Sequence, residues 1–175
     1  MSIDLGSEAP SFVLPGVDGN DHSLDGYRDA KLLVLVQYCN HCPYVLAWEE
    51  RLMAVARDYA QQGVRVVAVN SNDVSHYPED SFEAMKARAE KLGLPFDYLF
   101  DESQSLAHAL GAERTPEVFL FDVERRLRYH GAIDDSRDEN AITTSYLRDA
   151  IDALLAGHEP PVTETAAVGC TVKWR

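Results

Sequence analysis

Cysteine is scarce in this chain: its 175 residues include three, Cys39, Cys42 and Cys170. An odd, sparse set cannot form a framework of structural bridges, so stability must come from an apolar core. Basic residues are few as well, with 16 Lys and Arg against 29 Asp and Glu and a formal net charge of −13. That sign opposes binding to nucleic-acid phosphates or anionic membranes, and no basic run or basic–aromatic stripe interrupts it. Long hydrophobic runs are missing too. The longest, Leu32 to Val36, falls far short of the roughly 20 apolar residues that span a bilayer. The opening MSIDLGSEAPSF has neither the basic nor the apolar segment of a secretory leader. The expectation is a cytoplasmic protein without nucleic-acid or membrane partners.

Apolar residues make up 46% of the chain, enough for one core. No polar linker divides it, which points to a single domain over 1–175 with an extended tail over 157–175. Leu32 to Val36 is a continuous apolar run whose β-branched content and length suit a strand buried on both faces, and Val64 to Val69 reads as a second buried strand. Pro43 to Ala60 reads as a helix with Leu46, Leu52, Val55, Ala56 and Tyr59 on one face, closed by Gly63. Pro78 to Leu92 and Ser103 to Leu110 read as further helices, each followed by a glycine. Phe96 to Phe100 is extended. Glu117 to Phe121 and Arg126 to His130 form a hairpin, and Ala141 to Leu155 is the last helix. Strands alternating with helices imply parallel crossovers, and the hairpin adds antiparallel strands. The class is α/β, with a central mixed sheet flanked by helices.

The chemistry concentrates in Tyr38-Cys39-Asn40-His41-Cys42-Pro43, where a buried strand gives way to a helix. Unpaired N–H groups and the helix dipole favour negative charge there. The thiolate is the reactive form, so a depressed Cys39 pKa is expected, with Cys42 placed to close a disulfide. A protonated His41 would stabilise the thiolate and make the disulfide more oxidising. Pro43 suits the first helical turn, where a missing N–H costs least. A zinc site on Cys39, Cys42 and His41 is the competing chemistry. It lacks a second cysteine pair, and His22, His76, His108, His130 and His158 are scattered singly.

Cys39-Asn40-His41-Cys42, followed by Thr115-Pro116 before a strand, resembles the thioredoxin superfamily. Gly6-Ser7-Glu8-Ala9-Pro10-Ser11-Phe12, Leu14-Pro15-Gly16 and Asp18-Gly19 are similar to the redoxin branch. That branch groups alkyl-hydroperoxide-reductase/thiol-specific-antioxidant proteins with TlpA- and ResA-like oxidoreductases. Gly131 to Asp135 and Gly169 to Trp174 resemble a bacterial subgroup. The resemblance implies a thioredoxin-like fold with an N-terminal β extension and an extra helix. It implies Cys39 as attacking and Cys42 as resolving thiol, and Pro116 as a cis-proline facing them. Thr115 would pair with an extended substrate, and Tyr38, Thr115 and Pro116 form the expected substrate-binding set. No cofactor is implied beyond the redox-active Cys39–Cys42 disulfide. Partners would be protein disulfides or small thiols, with a dithiol electron donor.

Two family features are missing. The buried acid of thioredoxin falls at Leu33, and the glutamate of ResA-like proteins at Val45. A peroxidase reading also meets gaps. The Pro-x-x-x-Thr-x-x-Cys pattern gives Leu32 and Val36 before Cys39, and Leu35 and Cys39 before Cys42, and Arg114 stands two residues from the expected arginine position. A low-pKa thiolate still reacts with peroxide, and Cys42 or Cys170 could resolve the product. Thiol–disulfide exchange therefore leads. A thiol-dependent peroxidase and a redox-sensing or metal-binding module are the alternatives. Cys170 is either an additional thiol of the site or a packing residue beside Trp174. Asp134, Asp135 and Arg137 read first as a solvated turn, and Trp48 as core or rim.

Overall fold

The computed structural model describes residues 2–175. Its centre is a five-stranded mixed sheet built from β3 (Leu32–Tyr38), β4 (Val64–Asn70), β5 (Asp97–Phe100), β7 (Glu117–Phe121) and β8 (Leu127–Gly131), in the order β5-β4-β3-β7-β8. β3 runs parallel to β4 and antiparallel to β7, so the dithiol strand lies mid-sheet. A short hairpin of β1 (Val13–Pro15) and β2 (Asp21–Ser23) precedes it. A separate two-stranded pair joins β6 (Arg114–Thr115) to β9 (Cys170–Thr171). The helices are α1 (Pro43–Tyr59), α2 (Phe82–Leu92), α3 (Ser105–Leu110) and α4 (Tyr146–Leu155). No helix among the described residues is long and apolar enough to cross a membrane.

Successive strand residues point to opposite faces, and β3 shows the consequence. Leu32, Val34, Val36 and Tyr38 join a core containing Leu52 and Val55 of α1 and Leu147 and Ile151 of α4. Leu33 and Leu35 join a second core with Phe12, Tyr27 and Leu106 and Leu110 of α3. Every residue of β3 is buried, which explains the unbroken apolar run. Only the chain beyond its end is free to do chemistry.

Several expected boundaries shift. The helix expected from Pro78 starts at Phe82, because Ser81 is extended and accepts the Ala84 N–H as a cap. Pro78–Asp80 is a separate 3-10 turn. α3 begins at Ser105 rather than Ser103, after Gln104 in a left-handed conformation. α4 begins at Tyr146 rather than Ala141, because the Thr143 N–H is held by Asp135 outside the helix. Leu46 leaves the predicted apolar face and is 49% exposed. The buried stripe runs through Val45, Trp48, Leu52, Val55 and Tyr59 instead, and Leu46 lies about 100° off it.

The tail crosses the molecule in two anchored steps. The His130 N–H donates to the Thr163 carbonyl and the Thr165 N–H to the His130 carbonyl, while Thr165 Oγ1 accepts the Ala132 N–H. Gly131 makes this crossing possible: its φ is +143°, and an added Cβ would collide with Thr165. Further on, the Val172 N–H donates to Glu113, and the Lys173 carbonyl accepts from Asp73 N–H and Gln104 Nε2. Trp174 stacks on His108 with ring centroids 4.3 Å apart.

Leu52 is fully buried between α1 and the sheet. Leu52→Ala is expected to lower the unfolding free energy by about 2–5 kcal/mol in urea titration. A loss under about 1 kcal/mol would show that α1 does not rest on the sheet as described.

Candidate active site

β3 ends at Tyr38, and Cys39 to Cys42 lead into α1, whose first residue is Pro43. Cys42, not Cys39, is the N-cap. Both sulfurs are buried and reduced, and they meet the loop before β7 at one residue. Cys39 Sγ donates to Thr115 Oγ1 at 3.6 Å, and Cys42 Sγ lies 3.4 Å from the Thr115 carbonyl oxygen. The Thr115–Pro116 peptide bond is cis. A hydroxyl therefore does stand beside Cys39, supplied by Thr115 and not by β3.

The electrostatics reverse the expected order of the two thiols. Cys39 donates to Cys42, which raises its own pKa; burial and the nearby Asp80 carboxylate raise it further. Cys42 is lowered to about 4, first by that hydrogen bond and then, against its burial, by Cys170, the Val45 N–H and Thr115. The Thr115 carbonyl, which accepts the Cys42 S–H, favours the neutral thiol. The depressed Cys39 expected from the strand-to-helix position is thus corrected: the helix N-terminus acts on the cap residue, three positions later.

Asp80 is the residue that sequence reasoning missed. It is fully buried, on the turn before α2. Its carboxylate accepts the Asn40 N–H at 2.8 Å and Asn72 Nδ2 at 2.9 Å. His41 Nδ1 lies 2.8 Å from Oδ2, the oxygen that Asn72 also holds, and the His41 ring stacks on Tyr77. Asn40 also bonds outward, through Nδ2 to Glu79 O at 2.9 Å and by accepting Tyr98 OH at 2.8 Å. A buried acid thus stands beside Cys39 although Leu33 is apolar, and it comes from another element. The local signal for it was slight: one aspartate between a proline and a capping serine.

Cys39 Sγ, a His41 nitrogen and an Asp80 oxygen lie within 4.8 Å of one another, as do donors of Asp18, His22 and Asp97. Either trio has a donor set that a divalent metal could take. Asp80 already holds two N–H donors, which compete with a metal for its oxygens.

Other expected site residues move. Tyr38 does not line a substrate path; it is 1% exposed and its hydroxyl donates to Glu49, which also pairs with Arg88 at 2.6 Å. As the last residue of a strand buried on both faces, its side chain points into the core. Asp134 is not a solvated turn. It is buried and accepts Trp48 Nε1 at 2.7 Å and Arg51 at 2.7 Å, tying α1 to the chain after β8. Asp135 is exposed and holds Thr143. Arg137 lies over the Tyr44 ring, 4.7 Å from its centroid. Arg114 is exposed and reaches the Gly169 carbonyl.

Cys170 does not pack against Trp174, which sits on His108 instead. Residue 170 pairs antiparallel with Thr115 across β6 and β9. Its thiol is raised by burial and by its hydrogen bond to Cys42. Three cysteines thus converge on Thr115, one from the strand end, one from the helix cap and one from the tail.

A family model described as "AhpC/TSA family" matches residues 5–130. Thiol-disulfide oxidoreductases ResA from Geobacillus thermodenitrificans and Geobacillus kaustophilus are 28% and 29% identical to this chain. The matches cover 73% and 69% of this chain and 68% and 65% of those relatives, so the chain spans about two thirds of their length. The crystal structure of a hypothetical protein from Sinorhizobium meliloti 1021 is 44% identical with a TM-score of 0.94, covering 100% of this chain and 97% of that one. The exposed lipoprotein thioredoxin of Streptococcus pneumoniae is 23% identical with a TM-score of 0.63, over 85% of this chain and 99% of that one, a likeness of fold.

A thiol whose pKa is lowered stays ionised until the pH falls through the lowered value. The thiolate absorbance of the reduced protein near 240 nm should therefore persist through neutral pH and disappear around pH 4. Cys42→Ser should remove that step. If Cys39→Ser removes it and Cys42→Ser does not, the charge rests on Cys39.

Proposed function

The chain belongs to the AhpC/TSA family, and we propose that it is a thiol–disulfide oxidoreductase working through Cys39 and Cys42. One observation carries this reading: both sulfurs meet at Thr115, Cys39 Sγ at its hydroxyl and Cys42 Sγ at its carbonyl. Such a pair shares one proton between its two sulfurs. Cys42 carries the charge at rest, favoured by Cys39, Cys170, the Val45 N–H and Thr115. For the Cys39 thiolate to attack an approaching disulfide, the Cys39 proton must first pass to Cys42, against the resting order of the two thiols. A mixed disulfide forms and one thiolate leaves. Cys42, deprotonated again as that thiolate departs, then attacks the Cys39 sulfur. The second substrate thiol is released and the Cys39–Cys42 disulfide remains. A dithiol donor returns it to the reduced state by the reverse exchange. Protein disulfides and small disulfides are the substrate class. The AhpC/TSA family membership and the ResA relatives support oxidoreductase chemistry on sulfur.

Insulin reduction with dithiothreitol should fall at least 100-fold in Cys39→Ser and in Cys42→Ser. Cys42→Ser should accumulate a mixed disulfide on Cys39. Trapping in Cys39→Ser instead would exchange the two roles. Rapid peroxide consumption with negligible insulin reduction would replace the reading with a thiol peroxidase. Stoichiometric metal in the purified protein, with no turnover of either substrate, would replace it with a metal-binding module.

A further inference from the structure

The segment β9 occupies a position at the dithiol that its surroundings do not explain as packing alone. Gly169 lies so close to the cis-proline loop that a Cβ there would fall 2.7 Å from the Thr115 carbonyl carbon and 3.2 Å from Pro116 N. Only a glycine lets residue 170 reach its pairing position opposite Thr115. On one side the tail is fixed by Thr163 and Thr165 on β8, on the other by Val172, Lys173 and Trp174. Between the two anchors Cys170 packs on the core that holds Cys39 and Cys42 and pairs with Thr115, whose carbonyl oxygen lies 3.4 Å from Cys42 Sγ. An anchored thiol faces its target at a high effective concentration, so exchange between them is intramolecular.

We propose that Cys170 is a third exchanging thiol, which attacks Cys42 in the oxidised pair and moves the disulfide to Cys42–Cys170. The inference rests on the dithiol reading above and goes one step beyond it. The step is balanced within the molecule. The Cys170 thiol loses its proton to solvent and its sulfur bonds to Cys42 Sγ. The Cys39–Cys42 bond breaks, its electron pair leaves on Cys39, and Cys39 takes up a proton. No external oxidant or reductant is consumed. The oxidised protein then has two disulfide isomers. In one, Cys39 is again a free thiol, and the oxidising equivalent is stored between the helix cap and the tail.

Limited oxidation of the reduced full-length protein with diamide, followed by acid quench, alkylation and tryptic mapping without reduction, tests this. Cleavage places Cys39 and Cys42 together on the peptide 32–51 and Cys170 on 149–173. Wild type should yield the internal Cys39–Cys42 peptide together with the cross-linked pair at a tenth or more of the total. In Cys39→Ser the cross-linked pair should become the main oxidised product. Gly169→Val, which prevents the close approach at Thr115, should reduce the cross-link at least tenfold while the internal disulfide still forms. Internal disulfide in wild type with no cross-link in either wild type or Cys39→Ser would overturn the third thiol and leave the dithiol reading standing. A cross-link that survives Cys42→Ser and vanishes in Cys39→Ser would overturn the assignment to Cys42. Absence of both disulfides in wild type would overturn the dithiol reading itself.

Discussion

Thr115 is the point on which this site depends. Its hydroxyl faces Cys39, its carbonyl faces Cys42, and its backbone pairs with Cys170. It can do so because β3 is central and buried on both faces, so the strand has one outlet, its C-terminal end. β7 runs antiparallel beside it, which delivers the residues before β7 to that same end. The topology thus fixes where the loop arrives, and the tail closes over it from the far edge of the sheet. Ligands in open α/β folds gather at such strand ends because backbone groups and helix termini converge there.

The charge distribution follows from which neighbour holds which atom. Cys42 is the helix cap, and its sulfur collects N–H and S–H donors; Cys39 faces a carboxylate. A negative charge placed on Cys39 would sit beside Asp80 in a poorly hydrated environment, where like charges repel strongly. Asp80 is itself fixed, since Asn40 and Asn72 donate to its two oxygens and His41 stands against one of them. The asymmetry of the dithiol is therefore built into the turn before α2, some 40 residues downstream in the chain. That turn holds Asn40 through both its backbone and its side chain, so it positions the connection between the cysteines as well as charging its surroundings.

The central elements were legible because each is encoded locally. Leu32 to Val36 has no polar residue to face solvent, and Leu52, Val55, Ala56 and Tyr59 share one helical face, although the spacing also admits Leu46 to it where Val45 and Trp48 are the buried residues. The dithiol and Thr115-Pro116 were legible as short motifs. What escaped was non-local. Tyr38 continues the strand pattern toward the motif, and nothing in the sequence says that its hydroxyl finds Glu49 on α1. Asp134 reads as a loop acid until Trp48 and Arg51 are brought to it from α1. Cys170 stands beside Trp174 in sequence, yet the tail lays the two on different elements, one against Cys42 and the other against His108. Helix starts were missed where a capping serine or a left-handed Gln104 placed the boundary inside a plausible helical pattern.

Tail and dithiol also constrain each other. An extended peptide that paired with Thr115 would need the place that Cys170 now holds, so an outside substrate and β9 are mutually exclusive there. The anchors flanking β9 are independent of that pairing: Thr165 is held by Ala132 and Tyr129, and Lys173 by Asn72, Asp73 and Gln104. Displacing residues 169–171 from Thr115 with both anchors closed would break the short ladder of β6 with β9 and the bond from Arg114 to the Gly169 carbonyl. With each net hydrogen bond contributing about 1 kcal/mol, a substrate that forms the same ladder compensates for most of what it displaces. Access to the dithiol is then governed by local competition at Thr115, and the overall fold need not open.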